Sequence, residues 1–238
     1  LVTAIILAGG LGTRLAQVVP HFPKALAPIQ GIPFLQLLLQ QLENSLLVSK
    51  IVLALGYQAA SIQNFAQSNP CSIPLEFSIE PHPLGTGGAL LYALNKTNGE
   101  TLLVLNGDTY FDLPFSSFLR SHQRNKADIT LACREVQNTS RYGSVIMDSS
   151  FKVVSFREKT AISQPGWING GIYLIQKSLL LSFSPGVHSI ENDFFPLFLE
   201  KNLFAFPHNG SFIDIGTPNS YNEAQEILKP LCKSGFPQ

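Results

Sequence analysis

Apolar runs rich in Val, Ile and Leu at about residues 2–8, 50–55 and 101–106 alternate with longer stretches in which apolar residues recur at helical spacing. A strand covered on both faces needs Val, Ile and Leu without polar interruption, so the runs predict buried parallel strands. The stretches between them predict helices over 33–48, opened by Pro33, over 58–67, and over 86–96 after Thr86. After the third run, "PFSSFLRSHQR" (114–124) reads as a further helix. Strand and helix in alternation, joined by right-handed crossovers, specify an α/β fold: a doubly wound, mostly parallel, Rossmann-like sheet over about residues 1–127. Such sheets take ligands beyond the carboxyl ends of their strands.

From about residue 128 the pattern changes. "ADITLACRE", "GSVIM", "KVVSF" and "GGIYLI" are shorter β-like runs separated by turn residues, and they predict a smaller, mixed, β-rich part over 128–238. "SIENDFFPLFLEK" (189–201) reads as helical up to Pro196, and "PNSYNEAQEILK" starts a last helix near 219–229. No internal repeat or low-complexity segment interrupts the 238 residues, a length that suits one domain with two parts.

Composition narrows the partners. With 45% hydrophobic residues and 17 Phe the chain has ample material for a core. Sixteen basic and sixteen acidic residues cancel without any block of like charge, which argues against a nucleic-acid partner. The run at 2–8 lacks a basic flank and is too short for a membrane span or a secretion signal. Cys71, Cys133 and Cys232 are widely spaced, form no CxxC pair and read as packing residues, in keeping with a reducing cytoplasm. Oligomeric state is open, a homo-oligomer included.

The chemistry begins at "AIILAGGLGTRL" (4–15), where Gly9, Gly10 and Gly12 follow a strand and precede Arg14. Bare backbone amides admit anionic oxygens and a guanidinium adds bidentate charge, the makings of a phosphate cradle. The dinucleotide fingerprint fails, because position 15 is Leu and no acid occurs between 16 and 42; a Walker loop fails on Gly-Thr-Arg. A plain glycine turn remains the alternative. Lys24 stands in a loop stiffened by Pro20, Pro23 and Pro28. "PLGTGGALLYAL" (83–94) brings a second glycine cluster to a helix mouth, where either a flat nucleobase or a simple cap by Thr86 accounts for it. Asp108 ends the run "TLLVLNGDTYFD", and Asp214 lies in "SFIDIGTPNSY" just before Gly216. Two carboxylates at strand ends can hold one hard divalent cation such as Mg²⁺ together with phosphate oxygens and water.

In this order "LAGGLGTRL", "PKALAP", "PLGTGGA", "NGDTYF", "RYGSV", "FREK", "NGGIY" and "FIDIGTP" resemble the sugar-1-phosphate nucleotidyltransferase family, the nucleotide-sugar pyrophosphorylases, over nearly the whole chain. Within it the wording is most similar to the heptose-1-phosphate guanylyltransferase branch. The resemblance implies the nucleotide-diphospho-sugar transferase fold and a Mg²⁺-dependent reaction of a nucleoside triphosphate with a sugar 1-phosphate, giving nucleotide-sugar and pyrophosphate. GTP and a heptose 1-phosphate, for surface polysaccharide precursors, are the substrates implied by the branch; mannose, glucose or N-acetyl amino sugar 1-phosphates with UTP, dTTP or CTP are the alternatives.

By the same resemblance, Leu7, Ala8, Gly9, Gly10, Gly12, Thr13 and Arg14 wrap the triphosphate, with Asn106 and Gly107 beside them. Gly85, Thr86 and Gly88 lie along the base. Arg14, Lys24 and Asp108 carry the catalysis, and Asp108 and Asp214 hold the metal. Gly143, Glu158, Lys159, Asn169, Gly170 and Asp193 face the sugar phosphate. Each has an ordinary structural explanation too: a solvated charge at Lys24 and Lys159, a turn at Asn169 and Gly170, a first-turn acid at Asp193. Ala25 and Ala16 depart from the family's usual proline and basic residue. The five histidines lack metal-ligand spacing, and only His82 stands beside a glycine loop. Two rivals remain, a non-catalytic nucleotide-sugar-binding regulatory subunit and a glycosyltransferase; the latter would be expected to show Asp-x-Asp, whereas Asp108 and Asp112 stand four apart.

Overall fold

A computed structural model describes residues 1–157 and 163–234. Strands β1 (Val2–Leu7), β2 (Pro28–Ile29), β3 (Ile32–Pro33), β4 (Val48–Leu55), β5 (Leu75–Ile79), β6 (Thr101–Asn106) and β7 (Thr109–Phe111) belong to the first half. They are interleaved with helices α1 (Phe34–Ser45), α2 (Ala59–Ser68), α3 (Gly85–Ala93) and α4 (Phe115–Arg124). The second half carries β8 (Ile129–Val136), β9 (Ser144–Met147), β10 (Val153–Arg157), β11 (Gly166–Gln176), β12 (Leu203–Pro207) and β13 (Phe212–Asp214). Its helices are α5 (Lys177–Leu180), α6 (Phe195–Phe198), α7 (Pro218–Ile227) and α8 (Lys229–Ser234).

Seven strands form one sheet in the order β12-β8-β11-β6-β1-β4-β5. β1 is parallel to both β4 and β6, and β4 to β5. Within this sheet of described residues β11 runs against its neighbours, β6 and β8, while β8 and β12 are again parallel. Among the described residues the β-rich half thus contributes no separate large sheet; β8, β11 and β12 extend the first, and β9 with β10 makes a small hairpin.

Burial on both faces explains the apolar run of β1. Ala4 and Ile6 pack into one core with Phe34, Leu35 and Leu38 of α1, whereas Ile5 enters a second core with Leu90 and Ala93 of α3. Successive side chains point to opposite faces, so a strand between two helical layers is mostly apolar, and the one polar residue of β1, the buried Thr3, donates its hydroxyl to the Asn98 carbonyl at 2.8 Å.

Helix ends differ from the sequence expectation where backbone geometry intervenes. α1 stops at Ser45 because Leu46 adopts a left-handed conformation (φ +57°) and Val48 already begins β4. The stretch after Ser189 is a π-helical turn over Ile190–Phe194 that continues into α6, and Pro196 lies in the first turn of α6 rather than ending the helix. A proline there lacks only an N–H that a helix start leaves unpaired anyway. β5 was not expected from the sequence. As an edge strand it alternates partly buried and exposed residues and offers no continuous apolar run. Among the described residues no helix is long and apolar enough to cross a membrane.

α4 brings His122, 1% exposed, between Thr130 of β8 and Gln176 of β11. The Gln176 amide donates to Nε2 (2.9 Å), which leaves Nδ1–H to donate to Thr130 Oγ1 (2.8 Å). Burial lowers the imidazole pKa to about 4, only partly opposed by Asp128. The folded pKa lies below the unfolded value of 6.5, so the neutral ring's contribution is complete above pH 6.5 and is lost as pH falls from there towards 4. The shift corresponds to about 3 kcal/mol. Urea unfolding between pH 7.5 and 4.5 is expected to show a shallower pH dependence for His122→Gln than for wild type; equal slopes would exclude this role.

Candidate active site

A cleft of about 450 Å³ opens at the carboxyl ends of β1 and β6 and the mouth of α3. Leu7 is level with Ala54 of β4 and Asn106 of β6, so three strands deliver their ends to one place. Leu7, Ala8, Gly9, Gly10, Gly12, Thr13 and Arg14 all line the cleft, as do Lys24, Gly85, Thr86, Asn106, Gly107 and Asp108.

The glycines of this cleft are bare for different reasons. At Gly107 a Cβ would stand 2.6 Å from the Leu7 carbonyl, the very oxygen that accepts the Gly107 amide at 2.9 Å. Gly12 adopts φ +62° and its carbonyl accepts the amides of Leu15 and Ala16, turning the chain so that Arg14 faces back. Gly10 alone among the loop's three glycines has open space where a Cβ would lie. A ligand, not the protein, is what can occupy that space.

Charge converges on Gly216. A Cβ there would meet Asp214 Oδ1 at 2.8 Å, Lys24 Nζ at 3.4 Å and Arg14 Nη2 at 3.6 Å. Lys24 is ion-paired with Asp108, whose other oxygen accepts from the Thr109 hydroxyl. Asp214 Oδ1 accepts from Arg141 Nη2 (2.6 Å) and the Gly216 amide (3.0 Å), and Oδ2 from the Tyr142 hydroxyl (2.7 Å). Burial, then the Asp214 carboxylate beside it, pushes the Tyr142 phenol well up, so it stays a donor.

The two acids, distant in sequence, meet through a short antiparallel ladder. β13 pairs with β7 so that Asp214 lies opposite Thr109, and the Ile215 amide donates to the Asp108 carbonyl at 2.9 Å. Two carboxylates, one just before β7 and one at the end of its partner β13, suit Mg²⁺, which accepts one or two such ligands and leaves the rest to water and phosphate oxygens. Among the described residues no group of three or more His, Cys, Asp or Glu could hold a metal, so the fit is that of a substrate-shared ion rather than an all-protein cage.

Gly88 falls outside the cleft lining. Its Cβ would collide with the Gly186 carbonyl at 2.3 Å, and the amides of Gly87 and Gly88 donate to the His188 carbonyl (2.8 and 3.2 Å). The second glycine cluster therefore admits a loop of the second half against α3. Thr86 does not cap its own helix; its hydroxyl accepts the Ile190 amide at 3.0 Å, and the same loop is pinned twice.

The sugar-side residues lie elsewhere. Gly143, at φ +74°, closes a turn on the Thr139 carbonyl (3.1 Å). Asn169 donates to the Tyr173 hydroxyl (2.8 Å) and to Glu191 (3.2 Å). At Gly170 a Cβ would strike the Phe111 ring at 2.6 Å, so packing accounts for that glycine. Asp193 accepts the Ser189 amide at 2.6 Å and closes the turn it begins. Glu158 and Lys159 lie outside the described residues.

Sequence reading missed Glu80, Arg141, Tyr142 and Gly216. "RYGSV" was visible, but only its glycine was weighed, although the adjacent pair holds Asp214. Glu80 follows the unread β5 and lines the cleft, with burial raising its carboxyl above the usual range. His82 is exposed and is not among the residues lining the cleft.

Known proteins share both the sequence and the fold of this chain. The chain is 40% identical to D-glycero-alpha-D-manno-heptose 1-phosphate guanylyltransferase of Aneurinibacillus thermoaerophilus, covering 95% of this chain and 98% of that one. It is 38% identical to the protein of the same name from Campylobacter jejuni, covering 92% and 96%. The crystal structure of HddC from Yersinia pseudotuberculosis superposes with a TM-score of 0.86 at 38% identity, covering 95% of this chain and 99% of that one, and the same protein has been solved complexed with GMP-PN. The Nucleotidyl transferase family matches residues 3–229. With residues 3–229 matched by the family, and 95% of the chain covered by the Aneurinibacillus relative and by the Yersinia structure, the chain belongs to the nucleotidyl transferase family.

Proposed function

We propose that the chain transfers a guanylyl group from GTP to a heptose 1-phosphate, releasing pyrophosphate and forming the GDP-linked sugar. The observation that carries this reading is the meeting of Arg14, Lys24 and Asp214 around Gly216, with Asp108 paired to Lys24, beside a glycine-lined cleft. The names of the relatives at 40% and 38% identity, and the GMP-PN complex of the structural neighbour, support the choice of guanine and of heptose.

The sugar phosphate needs no general base. Its second pKa is about 6, so near neutral pH it is already a dianion. Its oxygen bonds to the α-phosphorus of GTP as the bond to the β-phosphate oxygen breaks and pyrophosphate departs. Residues 8–14 present backbone amides to the triphosphate, and Arg14 offsets charge on the leaving group. Lys24, carried on its proline-stiffened loop, faces the α-phosphate. Asp108 and Asp214 would hold Mg²⁺, which when bound supplies the positive charge that lets two anions approach. The work left to the protein is alignment and neutralisation. On this reading the second half, with Gly143, Glu158, Lys159, Asn169, Gly170 and Asp193, receives the sugar phosphate, and reliance on GTP puts the enzyme in the cytoplasm.

A regulatory subunit that only binds nucleotide-sugar has no use for all four charges, whereas each has a task in transfer. Pyrophosphate is expected only when Mg²⁺, GTP and D-glycero-D-manno-heptose 1-phosphate are all present. Release from GTP alone would indicate hydrolysis, and no release with any of four triphosphates against heptose, mannose and glucose 1-phosphates would remove the proposal.

A further inference from the structure

Both acids of the Gly216 corner already have a cation. Asp108 is paired with Lys24, and Asp214 with Arg141, a residue of the loop between β8 and β9 that lies 73 positions earlier in the chain. The two cations differ in what they can do next. Lys24 lines the nucleotide cleft and can exchange Asp108 for a phosphate oxygen. Arg141 is not among the lining residues, and its Nη2 is shared between Asp214 Oδ1 (2.6 Å) and Ser220 Oγ (2.9 Å). Ser220 is fully buried and forms with Thr217 the capping box that starts α7, so this anchor is part of the fold. The loop itself is equally fixed. The Thr139 carbonyl takes the amides of Tyr142 and Gly143 (3.0 and 3.1 Å), and Thr139 donates its amide and hydroxyl to the Gln164 carbonyl (3.0 and 3.1 Å). The Arg141 guanidinium also lies over the Tyr142 ring, 5.1 Å from its centroid. Its charge is built in beside Asp214.

Charge decides what such a corner attracts. Among the described residues Arg14, Lys24 and Arg141 bring three positive charges to two carboxylates. Glu223, three residues past Ser220 on α7, is exposed, and solvent screens its field there. Two unpaired carboxylates draw a divalent cation; the same two already neutralised, with a cation in excess, do not. A nucleoside triphosphate reverses the sign, because its several negative charges outweigh the surplus. Resting on the guanylyl-transfer reading above, we propose that Arg141 is a positioning residue and permanent counter-ion of Asp214, which makes capture of the divalent cation conditional on the nucleotide. Of the roughly four lone-pair sites of the Asp214 carboxylate, Arg141, the Gly216 amide and the Tyr142 hydroxyl occupy three, so a site on Oδ2 is what remains for the ion. Arg141 thus orients the carboxylate and sets the electrostatic threshold for its use.

Mn²⁺ is the probe, because protein-bound Mn²⁺ raises the proton relaxation rate of water and the signal needs no turnover. Without nucleotide, Arg141→Gln is expected to bind Mn²⁺ at least about tenfold more tightly than wild type, the effect of removing one unit charge near a divalent ion. Arg141→Lys, which keeps the charge, should stay within about threefold of wild type. Addition of GTP should bring Mn²⁺ onto wild-type protein. A gain of binding does not come from a damaged fold, and thermal melting registers separately the loss of the bonds to Asp214 and Ser220. Adding Asp108→Asn to Arg141→Gln should abolish the gain; a gain that survives places the ion elsewhere and overturns the proposal together with the metal assignment. Equal Mn²⁺ affinity in wild type and Arg141→Gln without nucleotide, alongside normal GTP-dependent pyrophosphate release, overturns the role of Arg141 alone. The expected Mn²⁺ pattern in a protein that releases no pyrophosphate with any triphosphate and sugar 1-phosphate would defeat the transferase reading and leave Arg141 as the counter-ion.

Discussion

Asp108→Asn is expected to lower kcat for GTP with heptose 1-phosphate by about 10³-fold while leaving the melting temperature close to wild type. The Asp108 side chain is 36% exposed, and the Asp108 carbonyl, which accepts the Ile215 amide at 2.9 Å, is kept by asparagine. The β7–β13 ladder therefore survives the change. What disappears is the negative charge opposite Lys24 and one of two oxygen donors suited to Mg²⁺. Released from its partner, Lys24 still offers a positive charge to GTP, so the KM for GTP should change less than kcat, and half-maximal rate should need more Mg²⁺. Asp214→Asn is the less clean test. An amide in that position would turn a donor towards Arg141 or Tyr142, breaking bonds of 2.6 and 2.7 Å and lowering stability as well as rate. A near-normal kcat and Mg²⁺ requirement in Asp108→Asn would remove the metal and catalytic roles from this corner.

How much of this corner was legible in the sequence depends on what each signal encodes. β1, β4 and β6 could be read because burial on both faces keeps their middles apolar. β5 could not, since an edge strand shares its pattern with a loop. Asp108 and Asp214 were visible as acids at strand ends, but their meeting depends on pairing β7 with β13, two three-residue strands on which no local pattern imposes a partner. Glycines reveal that space is needed and not what fills it. The Gly9 and Gly56 spaces are taken by Glu80, that of Gly88 by the Gly186 carbonyl and that of Gly170 by the Phe111 ring. Arg141 and Tyr142 were hidden for a similar reason: their worth lies in holding Asp214, a contact made across the fold.

Gly10 is the exception among these glycines, and Gly10→Val is the sharpest test of the phosphate cradle. A side chain on Gly9 would press on Glu80, one on Gly12 would require φ +62° and contact Lys24, and one on Gly107 would meet the Leu7 carbonyl. Failure of any of those variants would report on folding as much as on function. Gly10 has neither a positive φ nor any atom within 4 Å of its Cβ position, so the free protein can take a valine there. Its melting temperature is expected to stay within about 2 °C of wild type. The isopropyl group would nevertheless stand where phosphate oxygens must come within hydrogen-bond distance of the loop amides. Displacing the triphosphate by about 1 Å is enough to lower kcat/KM for GTP by at least about 10²-fold. Calorimetry should show the loss as weakened GTP binding in a protein whose unfolding is unchanged. Undiminished GTP binding with valine at this position would mean that no ligand enters the one space the loop keeps free, and the cradle would then be only a turn.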